Sequence, residues 1–268
     1  MSDEITPEDF DQYFPYAPTA LCVKECVRLA ALRAHECKGP ILDVGCGDGL
    51  FAKLACEGED VWGIDIDANE GRLAQATRAY SQIVLADITR VWIPEQLFQT
   101  CIANCSLEHV PDIHAALSNI HKALVPGGRA FLFVPNREWA RHLLSVRVLD
   151  ALGLSKGGDL IQKGIDDLFV HHHLYDEDGW REIVERAGFE VLEVQPVGST
   201  ASTVAFEVFL LPSLLGLVNK KLTTRWTNFP NARKRMSRTV YRAVRAALRL
   251  GHEQERTAEF LLVVRRPG

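Results

Sequence analysis

The stretch "ILDVGCGDGL", Ile41–Leu50, decides the fold. A four-residue apolar run with one aspartate, Asp43, leads into three alternating glycines, Gly45, Gly47 and Gly49, and the apolar "LFAKLAC" follows. The pattern predicts a buried strand that turns through glycines into a helix. In an open α/β sheet such a turn is where a nucleotide-like ligand lies, because glycine lets the backbone bend tightly and approach a ligand without a Cβ in the way.

Working outward, strands alternate with helices. A helix is predicted over 19–34. The strand Ile41–Val44 is followed by a helix to Glu57 that Gly58 caps, and the strand Val61–Asp65 by a helix that Asp67 opens. Strands are predicted at Gln82–Asp87, Gln99–Asn104, Arg129–Pro135, Glu190–Val197 and Glu259–Pro267, with helices opened by Asp112 and Asp176 between them. Alternation of this kind implies a doubly wound, largely parallel sheet covered on both faces, of seven strands. One domain over 1–268 is expected, interrupted at Asn136–Tyr175 and at Gly198–Ala258.

The glycines stand as Gly-x-Gly-x-Gly, with Leu50 where the dinucleotide fingerprint has its third glycine. No Gly-Lys-Ser/Thr follows, so the phosphate-loop reading fails as well. The neighbouring strand ends narrow the ligand further. Asp65 can accept both hydroxyls of a ribose, Asp87 the amino group of an adenine, and Ile66 and Ile88 can cover the ring on either side. Asp43, just before the loop, opposes a pyrophosphate and attracts a cation. A ligand with adenosine at one end, positive charge at the other and no phosphate satisfies all of them.

"ILDVGCGDG", "GIDID", "ADI", "ANCSLEHVPD", "LVPGGRAFLFVPN" and "AGFEVLEV", in that order and spacing, resemble the class I S-adenosylmethionine-dependent methyltransferases, and within them the small-molecule subgroup of ubiquinone-type O-methyltransferases. The resemblance covers about residues 38–197 and the final strand. It implies a Rossmann-like methyltransferase fold whose last strand is antiparallel, and S-adenosyl-L-methionine as cofactor. By it, Asp43, Gly45 and Gly47 hold the methionine end, Asp65 the ribose, and Asp87 and Ile88 the adenine, while Asn104 and Leu107 lie beside the methyl group. Gln99 departs from the aspartate many relatives carry there.

Methyl transfer needs a base only when the acceptor must lose a proton. Three side chains are candidates: His109 in "SLEHVPD", and His173 and Tyr175 where the first interruption returns to the core. The seven cysteines form no Cys-x-x-Cys pair, and no metal site is expected. Both interruptions leave the cofactor side of such a sheet and are expected to form a helical lid over the acceptor. The second contains an apolar run, Thr203–Val218, broken by Glu207 and Pro212, and then ten Lys/Arg with no Asp or Glu over Asn219–Leu250. Arginines at 235, 238, 242, 245 and 249 share one helical face, with Met236, Val240, Val244 and Ala247 on the other. This suggests peripheral membrane contact through 203–250 and a small or lipid-like acceptor. Nucleic acid is disfavoured by a net charge of −5 and by the few aromatics among the basic residues. The N-terminus lacks a basic and apolar leader and no apolar run is long enough to span a bilayer, so the expected location is the cytoplasm, in part at the inner membrane face. O-methylation is the expected reaction. N- or C-methylation, or cofactor binding without turnover, are the alternatives.

Overall fold

The computed structural model describes residues 5–223, 226–249 and 258–268. It divides into two compact units. One comprises Leu32–Arg137, Asp166–Pro196 and Glu259–Gly268; the other comprises the described parts of Met1–Ala31, Glu138–Ile165 and Val197–Ala258.

The first unit is built on seven strands: β1 (Ile41–Val44), β2 (Val61–Asp65), β3 (Gln82–Leu85), β4 (Phe98–Asn104), β5 (Leu124–Pro135), β6 (Glu190–Val197) and β7 (Glu259–Arg265). They form one sheet in the order β3-β2-β1-β4-β5-β7-β6. β1 pairs in parallel with β2 and β4, β4 in parallel with β5, and β7 runs antiparallel to β5. The strand order reverses beside β1, which places the switch point at the exit of the glycine loop. β1 is buried at all four positions and β7 at six of seven, so both read as continuous apolar runs, as strands covered on both faces do.

One face of the sheet, with Leu42, Val44, Ile64, Leu132 and Leu262, packs with residues from α5 (Ile113–Ala123) and α8 (Glu177–Arg186). α5 contributes Ile113, Ala116, Leu117, Ile120 and Ala123, a one-sided stripe at helical spacing. Trp180 of α8 is fully buried and donates its indole N–H to the Pro135 carbonyl at 2.9 Å. Asp67, Asp112 and Asp176 act as N-caps, each accepting a backbone N–H from the first turn of its helix. Several boundaries differ from expectation by a few residues, and two of the differences have a visible cause. β3 stops at Leu85, because Asp87 turns the chain by accepting the Thr89 N–H. β5 starts at Leu124 rather than Arg129, because "VPGG" extends the strand through an irregular register instead of forming a separate turn.

The second unit collects α1 (Pro7–Tyr13), α2 (Thr19–Leu32), α6 (Leu144–Ala151), α9 (Thr200–Thr223) and α10 (Pro230–Leu248), with most of α7 (Ser155–Phe169). Thus the N-terminal segment groups with the two interruptions. Pro212 does not break α9, which runs for 24 residues through it. Proline removes one N–H from the helix ladder, and the Ser213 hydroxyl donates to the Phe209 carbonyl at 2.7 Å beside it. Glu207 does not interrupt the helix either. Its carboxylate accepts the backbone N–H groups of Leu144 and Ser145 at the start of α6, where an anion compensates the orphan donors of a helix end.

α10 presents Arg235, Arg238, Arg242, Arg245 and Arg249 on its exposed face, as the spacing predicts. Met236 joins them at 57% exposure instead of the buried side. The buried side starts from Ser237, Val244 and Ala247. Arg233 lies over the Phe14 ring and donates to the Phe14 and Ala17 carbonyls, and Tyr241 donates to the Ile5 carbonyl. Burial holds the Arg233 guanidinium below its ordinary value. Of the apolar and basic stretch over 203–250, Thr224, Arg225 and Leu250 lie outside the described residues, as do the side chains of Leu211, Leu214, Leu215, Leu217, Val218 and Lys221.

Candidate functional site

The glycine loop leaves β1 at the switch point with Gly45, Gly47 and Gly49 all at positive φ, +73°, +53° and +76°. Only glycine occupies that region without steric cost. The three do different work. A Cβ on Gly45 would sit 2.4 Å from the Cβ of Ser106, and one on Gly49 2.8 Å from the Cα of Ala74, so these two set the packing of the loop against its neighbours. A Cβ on Gly47 would meet nothing within 4 Å. Gly47 therefore faces open space, on the side where a ligand can approach the backbone.

Asp65, at the end of β2, braces this loop. One carboxylate oxygen accepts the Gly47 N–H and the other the Asp67 N–H, both at 2.8 Å. Asp43 is buried in β1 and accepts the Tyr80 hydroxyl at 2.7 Å. Burial, reinforced by the Asp43 carboxylate, pushes the Tyr80 phenol well above its ordinary value, and the same two causes raise the Cys46 thiol. The loop is thus a negative environment framed by Asp43, Asp48 and Asp65, with no Lys or Arg between Ile41 and Phe51. Neither Tyr80 nor Ser106 is marked by any sequence signal, yet both hold the site. The Ser106 hydroxyl donates to the Val44 carbonyl at 2.6 Å and fixes the wall that Gly45 packs against.

Asp87 lies in the turn after β3. Its carboxyl is held below the ordinary range by the N–H and hydroxyl of Thr89, so it stays ionised further into acid. Ile66 is 78% exposed, whereas Ile88 is 7% exposed and packed in the core. The two isoleucines expected to cover an adenine are therefore unequal: Ile66 offers open apolar surface and Ile88 does not. Asn104 ends β4, and Leu107 is buried in the short turn Leu107–His109.

The structure brings His173 and Tyr175 together. The His173 ring stacks on Tyr175, Nδ1 lies 3.1 Å from the Tyr175 hydroxyl, and Nε2 lies 2.9 Å from the Val110 carbonyl. With Nε2 donating to a carbonyl and Nδ1 accepting from the phenol, His173 stitches its segment to the exit of β4. His109 stands apart from that pair, with Nδ1 3.3 Å from the Val170 carbonyl.

A model of the methyltransferase domain matches residues 16–194, well over half the chain. The chain belongs to the methyltransferase domain family. Among relatives of this chain, an uncharacterized methyltransferase of Mycobacterium tuberculosis is 41% identical over 91 residues, 33% of this chain and 46% of its own. A ubiquinone biosynthesis O-methyltransferase of Pseudomonas syringae pv. tomato is 33% identical over 123 residues, 42% of this chain and 52% of its own. The chain spans about half the length of the curated relatives it matches. Among solved structures, the [4+2]-cyclase SpnF shares the fold with a TM-score of 0.55 at 16% identity, over 90% of this chain and 82% of its own.

The family implies S-adenosylmethionine as cofactor. The residues fit it. The open space at Gly47 admits a ligand against the backbone, Asp65 presents a carboxylate at the end of the next strand, and the loop lacks the cations a pyrophosphate calls for.

Proposed function

We propose that this protein transfers the methyl group of S-adenosylmethionine to an oxygen of a small or lipid-like acceptor. The observation that carries the reading is the loop itself: a glycine facing open space, braced by Asp65, beside the carboxylates of Asp43 and Asp48 in a stretch with no Lys or Arg between Ile41 and Phe51. On this reading Asp65 holds the ribose and Asp87 the adenine amino group. Ile66 covers the ring, and Asp43 attracts the cationic methionine end. When bound, S-adenosylmethionine supplies a methyl group already activated on a sulfonium. Alignment and exclusion of water then supply most of the rate effect. His173 and Tyr175 act by positioning the segment that enters α8 rather than as an exposed base. Acceptor choice is assigned to the two interruptions, which join the sheet at the paired strand ends Pro135 and Glu259. The oxygen acceptor rests on the ubiquinone-type relatives; nitrogen or carbon acceptors use the same loop. Calorimetry on the whole chain should show S-adenosylhomocysteine binding, and labelled methyl donor incubated with fractionated lysate should place label in the lipid or small-molecule fraction. Absence of binding overturns the reading.

A second reading keeps the cofactor pocket but not methyl transfer. It is favoured by a fold neighbour that is a [4+2]-cyclase, since one scaffold supports several chemistries. Tight cofactor binding with no label transferred to any fraction decides for it.

We also propose that α10 docks on anionic lipid. No helix among the described residues is long and apolar enough to cross a membrane. The arginine face of α10 is exposed, and Leu222, Phe229 and Met236 are exposed nearby in sequence. Each Arg at such a surface contributes about 1 kcal/mol. Replacing Arg238, Arg242 and Arg245 together should weaken partitioning onto phosphatidylserine vesicles about 100-fold in flotation. Equal partitioning of wild type and triple variant removes the idea.

A further inference from the structure

The turn after β4 and the segment after α7 bring together a group of side chains that the loop chemistry does not use. Glu108 is buried at 2% exposure, next to the exposed His109. His171 comes from the other segment, and its ring stacks on that of His109 with centroids 5.4 Å apart. One carboxylate oxygen of Glu108 and one ring nitrogen from each histidine all lie within 4.8 Å of one another. The Glu108 oxygen and the His109 Nε2 are 3.9 Å apart. That is longer than a hydrogen bond, between neighbouring residues of one turn.

The surroundings hold these groups in place. Nδ1 of His109 is turned toward the Val170 carbonyl at 3.3 Å, which leaves Nε2 as the nitrogen directed at Glu108. Asp166 lies 3.0 Å from Nδ1 of His171. A carboxylate bonded to one imidazole nitrogen is the usual device for orienting a ligating histidine. The Glu108 carbonyl accepts the N–H groups of His172 and His173, so the backbone of one segment is tied to that of the other. Val170, a β-branched residue, is held at φ +56° at the head of this segment. Such backbone is kept only where its surroundings determine it.

We infer that Glu108, His109 and His171 form a binding site for a divalent first-row transition ion, with Asp166 as the orienting carboxylate. Two imidazoles and one carboxylate are the donor set of borderline cations such as zinc, cobalt and iron(II), and leave a coordination position open. A buried carboxylate is stabilised by a cation at hand. Ligand distances of about 2.0–2.2 Å require these atoms to draw in by about 1 Å, within reach of side-chain rotation. On this assignment His109 is a ligand, not the proton acceptor that its place after β4 suggests. The metal would clamp the segment entering α8 to the exit of β4. The inference does not rest on methyl transfer.

The test uses the whole chain, stripped with chelator and titrated with Co²⁺ alone. One equivalent should bind with visible d–d absorption, and Zn²⁺ should displace it. Glu108→Gln and His171→Ala should each lose that absorption, Asp166→Asn should bind about 10- to 100-fold more weakly, and His172→Ala should bind as wild type does. Circular dichroism of each variant distinguishes a lost site from a lost fold, and the near-isosteric Glu108→Gln carries the decision if His171→Ala unfolds. Wild type without Co²⁺ absorption, or absorption that survives both ligand variants, overturns the assignment.

Discussion

Gly45→Ala is expected to lower the unfolding free energy by about 2–5 kcal/mol, whereas Gly47→Ala, two residues on, costs about 1–2 kcal/mol. Both positions have left-handed backbone, at φ +73° and +53°. A side chain there carries a conformational penalty of about 1–2 kcal/mol in either case. The difference comes from what the added methyl meets. At Gly45 it falls 2.4 Å from the Ser106 Cβ, and Ser106 has little freedom to yield because its hydroxyl is committed to the Val44 carbonyl. Relief requires the turn after β4 to move away from β1, and overpacking of this kind costs about 1–3 kcal/mol more. At Gly47 the methyl meets nothing within 4 Å. A ligand against the loop backbone would occupy that same space. Gly47→Ala should therefore keep most of its stability and still lose cofactor affinity. Urea unfolding and calorimetry on the two variants check this. If Gly47→Ala binds S-adenosylhomocysteine as wild type does, the open side of Gly47 is not the ligand side.

The contrast between these glycines also shows what the sequence made legible. Spacing alone locates the loop and places β1 and β2 at their observed limits, because buried parallel strands are continuous apolar runs bounded by turns. It also places the arginine face of α10, because a helical period is local. It does not distinguish Gly45 from Gly47, since the difference lies in Ser106, which is 61 residues away in sequence. Tyr80 on Asp43 and Glu207 on the start of α6 are likewise long-range contacts, and no local pattern announces them. Met236 is misplaced for a related reason. The buried side of α10 is set by its partners Phe14, Asp11 and Ile5 on the N-terminal segment, and these favour Arg233, Ser237 and Tyr241. α1, absent from the sequence expectation, does have a readable start in retrospect: Thr6 caps Asp9, with Pro7 at the first helical position. The separation of His171 from Glu108 and His109 along the chain hides their convergence in the same way.

Asp65→Ala is expected to weaken S-adenosylhomocysteine binding at least 100-fold, while Asp65→Asn lies between it and wild type. The carboxylate has two tasks on the proposed reading, and the variants separate them. Without ligand it already accepts the Gly47 and Asp67 N–H groups, so it ties the glycine loop to the start of α4 (Ala68–Thr77). A hydrogen bond to a charged acceptor contributes about 1.5–3 kcal/mol, and an N–H left buried without a partner costs about 1–3 kcal/mol. Its remaining lone pairs are those that a ribose diol would use, and two such bonds correspond to roughly 3 kcal/mol or more, which is a factor of at least about 100 in affinity. Asparagine keeps one acceptor oxygen, which can hold the Gly47 N–H, but its amide cannot accept from both a backbone N–H and two hydroxyls. Asp65→Asn keeps one of the two backbone bonds, so it should melt between Asp65→Ala and wild type and bind more weakly than wild type, whereas Asp65→Ala should lose most in both stability and affinity. Differential scanning calorimetry read beside binding isotherms separates the two tasks. Affinity within threefold of wild type in Asp65→Ala would remove Asp65 from the cofactor site and leave it only as the brace of the loop.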